Sequence, residues 1–218
     1  MTPRPQGLLL DAMGTLIGLR QSVGESYAAI AQQHDINAEP EALNAVFPRL
    51  FRQAPPLAFP GLRGAALAQA EQQWWSDLIA ACFEATGHAG PLPEALPAAL
   101  FEHFAEAEPW LVYPDVIQHL QRWREAGLKL AVVSNFDQRL HRLLSALELA
   151  PLLDAVVVSS AVGAAKPDAR PLLTALAELQ LGPEQVWHIG DSPEDEASAR
   201  AAGVRCVLIQ RSKPRGTP

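Results

Sequence analysis

The stretch LLLDAMGTLIG, residues 8–18, carries an apolar run of three leucines that ends on a single carboxylate, Asp11. A glycine and a threonine follow at positions 14 and 15, which is typical of a tight turn. The stretch therefore predicts a buried strand that delivers Asp11 to a turn at its carboxyl end. Two residues beyond this acid, where a second acid could assist it, the chain has Met13.

From about residue 115 onward, apolar runs alternate with amphipathic helical patterns. The apolar runs are LKLAVVSN, DAVVVSS, QVWHIGD and RCVLI, and the opening GLLLD matches them in character. Near-continuous apolar strands that are separated by helices are typical of a parallel sheet with both faces covered. The pattern predicts an α/β domain.

Residues 19–107 have a different pattern, with apolar residues at helical spacing and almost no run typical of a strand. Ser22 and Glu25 have the spacing of a capping box, which predicts the start of a helix there. Pro48 lies within a second helical pattern, where we expect it to kink or interrupt the helix. Because this block follows the first predicted strand, we interpret it as an insertion into the α/β domain.

The composition limits the kinds of partner. The 218 residues include 17 Lys and Arg against 24 Asp and Glu, and without a basic block this balance argues against nucleic acid or an anionic membrane as a partner. No apolar run approaches the roughly 18 residues of a membrane span, and the start does not resemble a signal peptide. The two cysteines, Cys82 and Cys206, lack metal-ligand spacing, so we expect buried free thiols and a cytoplasmic location.

Ligands of open α/β sheets bind at the carboxyl ends of the strands, so the polar residues at those ends are the candidates for function. They comprise acids, a hydroxyl, an amide and a lysine, namely Asp11, Ser134, Asn135, Lys166, Asp191, Asp195 and Glu196. A carboxylate can act as a nucleophile and form an aspartyl-phosphate, and two carboxylates from different strands can hold Mg²⁺. Lysine and hydrogen-bond donors suit phosphoryl oxygens, so the set predicts a phosphoryl-transfer site.

The segments LLLDAMGTL, AVVSN, AKPD and HIGDSPEDE, in this order, resemble the four motifs of the haloacid dehalogenase superfamily. The match spans the whole chain, since the helical block falls where this family inserts its cap domain. The resemblance implies a Rossmann-like core of residues 1–17 and 108–218, with an inserted all-helical cap of residues 19–107. QQWWSDLI and SNFDQRL look like the haloacid dehalogenase-like hydrolase domain-containing subgroup in particular.

The resemblance implies a set of metal ligands. It makes Asp11 both the nucleophile and a ligand of Mg²⁺. The backbone carbonyl of Met13 would be a second ligand and Asp191 a third. Either Asp195 or Glu196 would support the metal, and the spacing leaves both open.

The resemblance also implies how the substrate, a small phosphorylated molecule, is bound. Ser134 and Lys166 would bind the phosphoryl group, and Lys166 would take part in catalysis. Asn135 is a further hydrogen-bonding candidate beside them. Gly14 and Thr15 would form the turn that presents the nucleophile.

The match breaks at Met13. Phosphatases of this superfamily carry an aspartate there, which protonates the leaving alkoxide and then activates water. Haloacid dehalogenases carry tyrosine, and DAMGTL resembles their DAYGTL, but those metal-independent enzymes lack a Gly-Asp pair like the one ending at Asp191. Phosphonoacetaldehyde hydrolases recruit a lysine from the cap, whereas residues 19–107 contain none.

The sequence therefore predicts a Mg²⁺-dependent hydrolase of a small phosphorylated metabolite, acting through an aspartyl-phosphate at Asp11. A catalytically weakened protein that binds a phosphorylated ligand or a protein partner is the second interpretation, and a metal-independent 2-haloacid dehalogenase is the third. Trp74 and Trp75 are expected to pack within the cap, with at most one ring facing the substrate cleft. His188 is expected to lie within a strand and to take no part in catalysis.

Overall fold

The structure, a computed structural model, describes residues 4–211, so the ends of the predicted core at 1–3 and 212–218 lie outside the described residues. Its centre is a parallel sheet of five strands in the order β5-β4-β1-β6-β7, and a second sheet pairs β2 with β3. The strands are β1 (Gly7–Leu10), β2 (Ile17–Leu19), β3 (Trp110–Val112), β4 (Lys129–Ser134), β5 (Ala155–Val158), β6 (Val186–Gly190) and β7 (Arg205–Leu208).

Helices occupy both the inserted block and the two faces of the sheet. They are α1 (Val23–Gln32), α2 (Pro40–Gln53), α3 (Gly64–Ala85), α4 (Ala95–His103), α5 (Val116–Glu125), α6 (Arg139–Ala146), α7 (Ser159–Val162), α8 (Arg170–Leu179) and α9 (Pro193–Ala202). Among the helices within residues 4–211, none has both the length and the apolarity needed to cross a bilayer.

The central strand β1 is buried on both faces because its side chains alternate between two apolar clusters. Leu8 and Leu10 pack with Leu120 of α5 on one face of the sheet. Leu9 packs with Leu172 of α8 on the other face. A parallel sheet that is covered by helices on both sides confirms the predicted Rossmann-like α/β fold class.

Helices α1 to α4 build a third apolar cluster between β2 and β3, centred on Tyr27, Leu43, Phe83 and Leu96. The two short strands pair antiparallel, with Ile17 opposite Val112, where the chain enters and leaves this helical block. The exact division into a core of 1–17 and 108–218 and a cap of 19–107 stays a prediction.

The start of α1 confirms the predicted capping box. The Ser22 hydroxyl accepts from the backbone N–H of Glu25 at 3.2 Å, and the Glu25 carboxylate accepts from the backbone N–H of Ser22 at 2.7 Å. Asn44 of α2 extends this cap, because its side chain donates to the Ser22 hydroxyl at 2.8 Å and accepts from Gly24 N–H at 2.8 Å. The cap therefore also ties α1 to α2.

The expected interruption at Pro48 does not occur, since α2 is continuous from Pro40 to Gln53. A proline within a helix removes one backbone hydrogen bond and costs about 3 kcal/mol. On the same helix, Val46, Phe47 and Leu50 pack against the cluster of the helical block. This packing offsets the local preference of proline, as tertiary contacts commonly do.

Replacing Ser22 with alanine should lower the free energy of unfolding by about 1 kcal/mol, since the change removes the N-cap of α1 and its bond to Asn44. Ser76→Ala is the matched control, because Ser76 lies inside α3 and, among residues 4–211, its hydroxyl bonds only the carbonyl of Gln72 in the same helix. Alanine has the higher helix propensity there, so the control should lose no stability. Urea unfolding measures both, and equal losses would contradict the capping role.

Candidate active site

Adjacent strands bring the predicted polar residues to one edge of the sheet. Asp11 follows β1, Ser134 ends β4 and Asp191 follows β6, and β1 lies between the other two strands. The Ser134 hydroxyl lies 3.5 Å from Asp11 Oδ1. Lys166, in the loop between α7 and α8, donates from Nζ to the same oxygen at 2.6 Å.

The ammonium group of Lys166 is buried, with 5% of the residue exposed, and all three of its donors are used. They reach Asp11 Oδ1 at 2.6 Å, Asp195 Oδ1 at 2.6 Å and the carbonyl of Val133 at 3.1 Å. Burial alone would lower the pKa of Lys166, but the two carboxylates raise it above its usual value. Lys166 is therefore a fixed positive charge between two acids.

Asp195 is held by donors on both of its oxygens. Oδ1 accepts from Lys166 and lies 2.8 Å from Nε2 of His188. Oδ2 accepts from the hydroxyl of Ser192 at 2.6 Å and from the backbone N–H groups of Ser192 and Asp191 at 3.1 and 3.3 Å. Burial would raise the pKa of Asp195, yet these donors hold it well below its usual range. The carboxylate is thus charged and its hydrogen-bonding capacity is filled.

Glu196 is not brought to this group, although it is the next residue along α9. Its side chain is exposed, and its nearest charged partner is Arg200, at 3.7 Å on the same helix. Asp195, in contrast, is the third residue of α9, forms a capping box with Ser192 and is 1% exposed. Of the two acids left open by the sequence, Asp195 is the one beside Lys166.

Three carboxylates meet at the edge of the sheet, and Lys166 pairs with two of them, Asp11 and Asp195. Oxygens of Asp11, Asp191 and Asp195 lie within 4.8 Å of one another. Burial raises the pKa of Asp11, and Asp195 adds to the rise, while Lys166 opposes it. Burial also raises the pKa of Asp191, and the charges of Asp11 and Asp195 add to that rise. Hard oxygen donors with uncompensated negative charge fit a divalent cation such as Mg²⁺.

Two glycines make room for these carboxylates. Gly14 has a φ of +82°, and a Cβ atom there would overlap the carboxylate of Asp191. A Cβ atom on Gly190 would overlap the carboxylate of Asp195. Thr15 continues the turn with its hydroxyl buried and without a hydrogen-bond partner among residues 4–211.

Asn135 contacts the lysine loop through both ends of its side-chain amide. Its Nδ2 donates to the carbonyl of Lys166 at 2.9 Å, and its Oδ1 accepts from the N–H of Lys166 at 2.7 Å. These two bonds hold the backbone that carries the ammonium group. Asn135 therefore holds the backbone of Lys166, and its predicted hydrogen bond to the substrate stays a prediction.

A cleft of about 700 Å³ opens over Asp11, between the edge of the sheet and the helical block. Met13 lines it and is 42% exposed. Trp74 and Trp75 both line the cleft, so the expectation that at most one would face it is wrong. Hydrogen bonds of the two indole N–H groups hold both rings at the cleft. Trp74 donates to the carbonyl of Pro55 at 2.9 Å, and Trp75 donates to a carboxylate oxygen of Asp137 at 2.7 Å.

The loop after β4 joins the sheet to the helical block, a role that sequence reasoning missed. Asp137 accepts the indole N–H of Trp75 at 2.7 Å. Gln138 donates its backbone and side-chain N–H groups to the buried carboxylate of Glu71, each at 3.2 Å. The only signal in the sequence is the polar run DQR after the strand-end SN. His188, which lies buried in β6 as expected, reaches Asp195 by a contact that the sequence did not indicate.

Comparisons with known proteins agree with the fold. The family model described as haloacid dehalogenase-like hydrolase matches residues 5–203. Haloacid dehalogenase-like hydrolase domain-containing protein 3 of Mus musculus is 36% identical over 213 residues, which cover 95% of this chain and 82% of that protein.

Two further similarities concern named enzymes. Phosphoserine phosphatase of Thermus thermophilus is 35% identical over 131 residues, which are 59% of this chain and 52% of that protein. The structure of L-2-haloacid dehalogenase from Xanthobacter autotrophicus superposes with a TM-score of 0.71 at 19% identity, over 96% of this chain and 79% of that one. At this identity the superposition shows a shared fold.

Gly190→Ala should destabilise the protein by about 1–3 kcal/mol, because the new methyl group meets the Asp195 carboxylate, which its donors hold in place. Gly182→Ala is the matched control, since its methyl group meets only the exposed carboxylate end of Glu184, which can move away. The control should change stability by less than about 0.5 kcal/mol. Thermal unfolding compares them, and an unchanged melting temperature for Gly190→Ala would refute the close fit.

Proposed function

The chain belongs to the haloacid dehalogenase-like hydrolase family, and from this premise we propose that it hydrolyses a small phosphorylated metabolite through an aspartyl-phosphate at Asp11. The observation that carries the proposal is the strand-end carboxylate of Asp11, buried beside the ammonium group of Lys166 at 2.6 Å. The similarity to a phosphoserine phosphatase supports phosphate as the group transferred.

In the first step, an oxygen of Asp11 attacks phosphorus and forms an O–P bond. The ester P–O bond breaks, and the leaving oxygen departs with the electron pair. Lys166 and Ser134 hold Oδ1, while no donor among residues 4–211 reaches Oδ2. Lys166 also offsets the negative charge on the phosphoryl oxygens. In the second step, water attacks phosphorus and gives a proton to a neighbouring water molecule; the bond between phosphorus and the Asp11 oxygen breaks, which releases phosphate and regenerates the carboxylate.

The carboxylate group at the sheet edge also supports Mg²⁺ as the cofactor. We propose that Asp11, Asp191 and the backbone carbonyl of Met13 would hold the ion. Bound there, it would neutralise charge on the phosphoryl oxygens. Asp195 has its oxygens occupied by protein donors, so its proposed role is to position Lys166.

Met13 limits the rate of the proposed reaction. Its side chain lines the cleft beside Asp11 but has no proton to give to a leaving group. General acid–base assistance is worth about 10²–10⁴-fold in rate, so its loss raises the barrier by roughly 3–5.5 kcal/mol. The same residue favours the second candidate function, a protein that binds a phosphorylated ligand or a protein partner with weakened turnover. Asp191 and its neighbouring carboxylates argue against the third, a metal-independent dehalogenase.

The cysteines are consistent with the proposed cytoplasmic location. Cys82 and Cys206 are both free thiols. Burial raises the pKa of Cys82 to about 11, which keeps this thiol protonated and unreactive at neutral pH.

The wild-type protein should turn over acyl and nitrophenyl phosphates, whose leaving groups depart unprotonated, and alkyl phosphates hardly at all. Met13→Asp should raise turnover of alkyl phosphates by roughly one to several decades, since it supplies the missing acid and base. Met13→Leu is the control and should change nothing. Steady-state release of inorganic phosphate measures all three proteins.

Two results of this experiment would count against the account. Wild-type turnover of alkyl phosphates at the nitrophenyl rate would mean that another group supplies the proton, and Glu194 lines the cleft as the next carboxylate to replace. No gain in Met13→Asp, with Mg²⁺ binding intact, would favour the binding protein.

Asp191→Asn should weaken Mg²⁺ binding, because it removes one of two carboxylates proposed as ligands, while the fold persists since Asp191 is exposed. Glu196→Gln removes the same charge a few residues along the chain, from a side chain that faces Arg200, and should bind Mg²⁺ as the wild type does. Titration calorimetry gives the three affinities. Equal weakening in both variants would mean that Mg²⁺ affinity depends on the net charge of the protein and not on Asp191 as a ligand. Unchanged affinity in Asp191→Asn would remove the metal assignment.

A further inference from the structure

The walls of the cleft over Asp11 are aromatic where they belong to the helical block. Tyr27, Phe47, Phe51, Trp74 and Trp75 line it from that side. Its volume of about 700 Å³ lies within the usual range of small-molecule sites. A phosphoryl group at Asp11 would fill only part of this space, so the remainder of the substrate would lie against aromatic rings.

These rings form one contiguous wall. Phe51 lies 5.7 Å from Phe47 and 5.8 Å from Trp74 between ring centroids. Trp74 and Trp75 meet edge-on at 4.9 Å. Since both indole N–H groups are bonded elsewhere in the protein, the rings offer apolar faces and edges in fixed positions. Phe51 is 39% exposed and leaves part of its surface for a ligand.

Two arginines line the cleft, and Arg139, the one among the aromatic rings, is not available to a ligand. Arg139 donates to both oxygens of Asp137 at 2.8 and 2.7 Å and to the carbonyl of Phe101 at 2.6 Å. Its guanidinium lies 3.7 Å from the centroid of the Phe101 ring. Arg139 therefore completes the aromatic wall, and Arg52, beside Phe51, is the exposed cation of the cleft.

Met13 restricts the leaving group independently of the wall. Without an acid at this position, the leaving oxygen must depart as an anion. A phenol has a pKa of about 10, as the tyrosine side chain does, so a phenolate leaves far more readily than an alkoxide. A substrate with an aromatic ring attached directly to the ester oxygen would have a leaving group that departs as an anion. Its ring could also pack against the aromatic wall.

From these two observations we propose that the substrate is a small aryl phosphate, whose ring stacks on the wall of Phe51, Trp74 and Trp75. This substrate class rests on the proposed phosphatase function. Binding of the ring, however, is measurable without turnover, so the two proposals are tested separately.

Calorimetry with phosphonates, whose P–C bond the protein does not hydrolyse, measures binding alone. With Mg²⁺ present, naphthylmethylphosphonate should bind at least roughly tenfold more tightly than methylphosphonate, because the former buries two rings in the cleft. Phe51→Ala should lose most of that difference, and Phe51→Leu should lose part of it, since leucine is apolar but cannot stack. Leu173→Ala, which truncates an exposed residue of α8, is the control and should keep the wild-type ratio.

Equal affinity of the wild type for the two phosphonates would overturn the aryl assignment. An unchanged ratio in Phe51→Ala, with the variant folded by circular dichroism, would do the same. Kinetics with 2-naphthyl, phenyl and acetyl phosphates test the reaction itself. Absence of turnover on all three, together with tight binding of naphthylmethylphosphonate, would overturn the phosphatase function and leave an aryl-phosphonate and aryl-phosphate binding site.

Discussion

One buried ammonium group, that of Lys166, lies between the carboxylates of Asp11 and Asp195, and the site depends on these contacts. A charge that is removed from water is tolerated only when it is paired and hydrogen-bonded. Removing one partner of such a buried pair costs about 3–5 kcal/mol, because the other charge is left uncompensated. The three residues come from the end of β1, the loop before α8 and the start of α9. The pairing therefore constrains three separate segments to one geometry.

The side chain of Met13 lies outside these contacts. Met13 points into the cleft with 42% of its surface exposed and takes no part in the charge pairs. Its backbone is held by the turn, where Gly14 donates to the carbonyl of Ile17 at 2.8 Å. The side chains proposed to bind phosphate and metal are thus structurally separate from the side chain of residue 13.

The sequence predicted features that depend on local pattern and missed those that depend on contacts between distant segments. The strands and their polar ends followed from apolar runs, and the cap of α1 followed from a spacing of three residues. Asp195 could not be separated from Glu196, because neighbouring residues of a helix point about 100° apart and the rotation of α9 is set by its packing. Contacts between distant segments also decide two further cases. At Pro48, the packing of α2 overrides the tendency of proline to interrupt a helix. The orientation of Trp75 follows from a hydrogen bond to a residue 62 positions away.

The loop after β4 connects the two parts of the site mechanically. Ser134 ends this strand beside Asp11, and Asp137 and Gln138, only a few residues later, bond to Trp75 and Glu71 of α3. Glu71 is 3% exposed, so separating α3 from the loop would leave a buried carboxylate without its donors. These contacts consequently hold the aromatic wall at a set distance from Asp11. For the proposed aryl phosphate, the span between ring and phosphorus must match that distance, so the contacts of this loop would set which molecules fit.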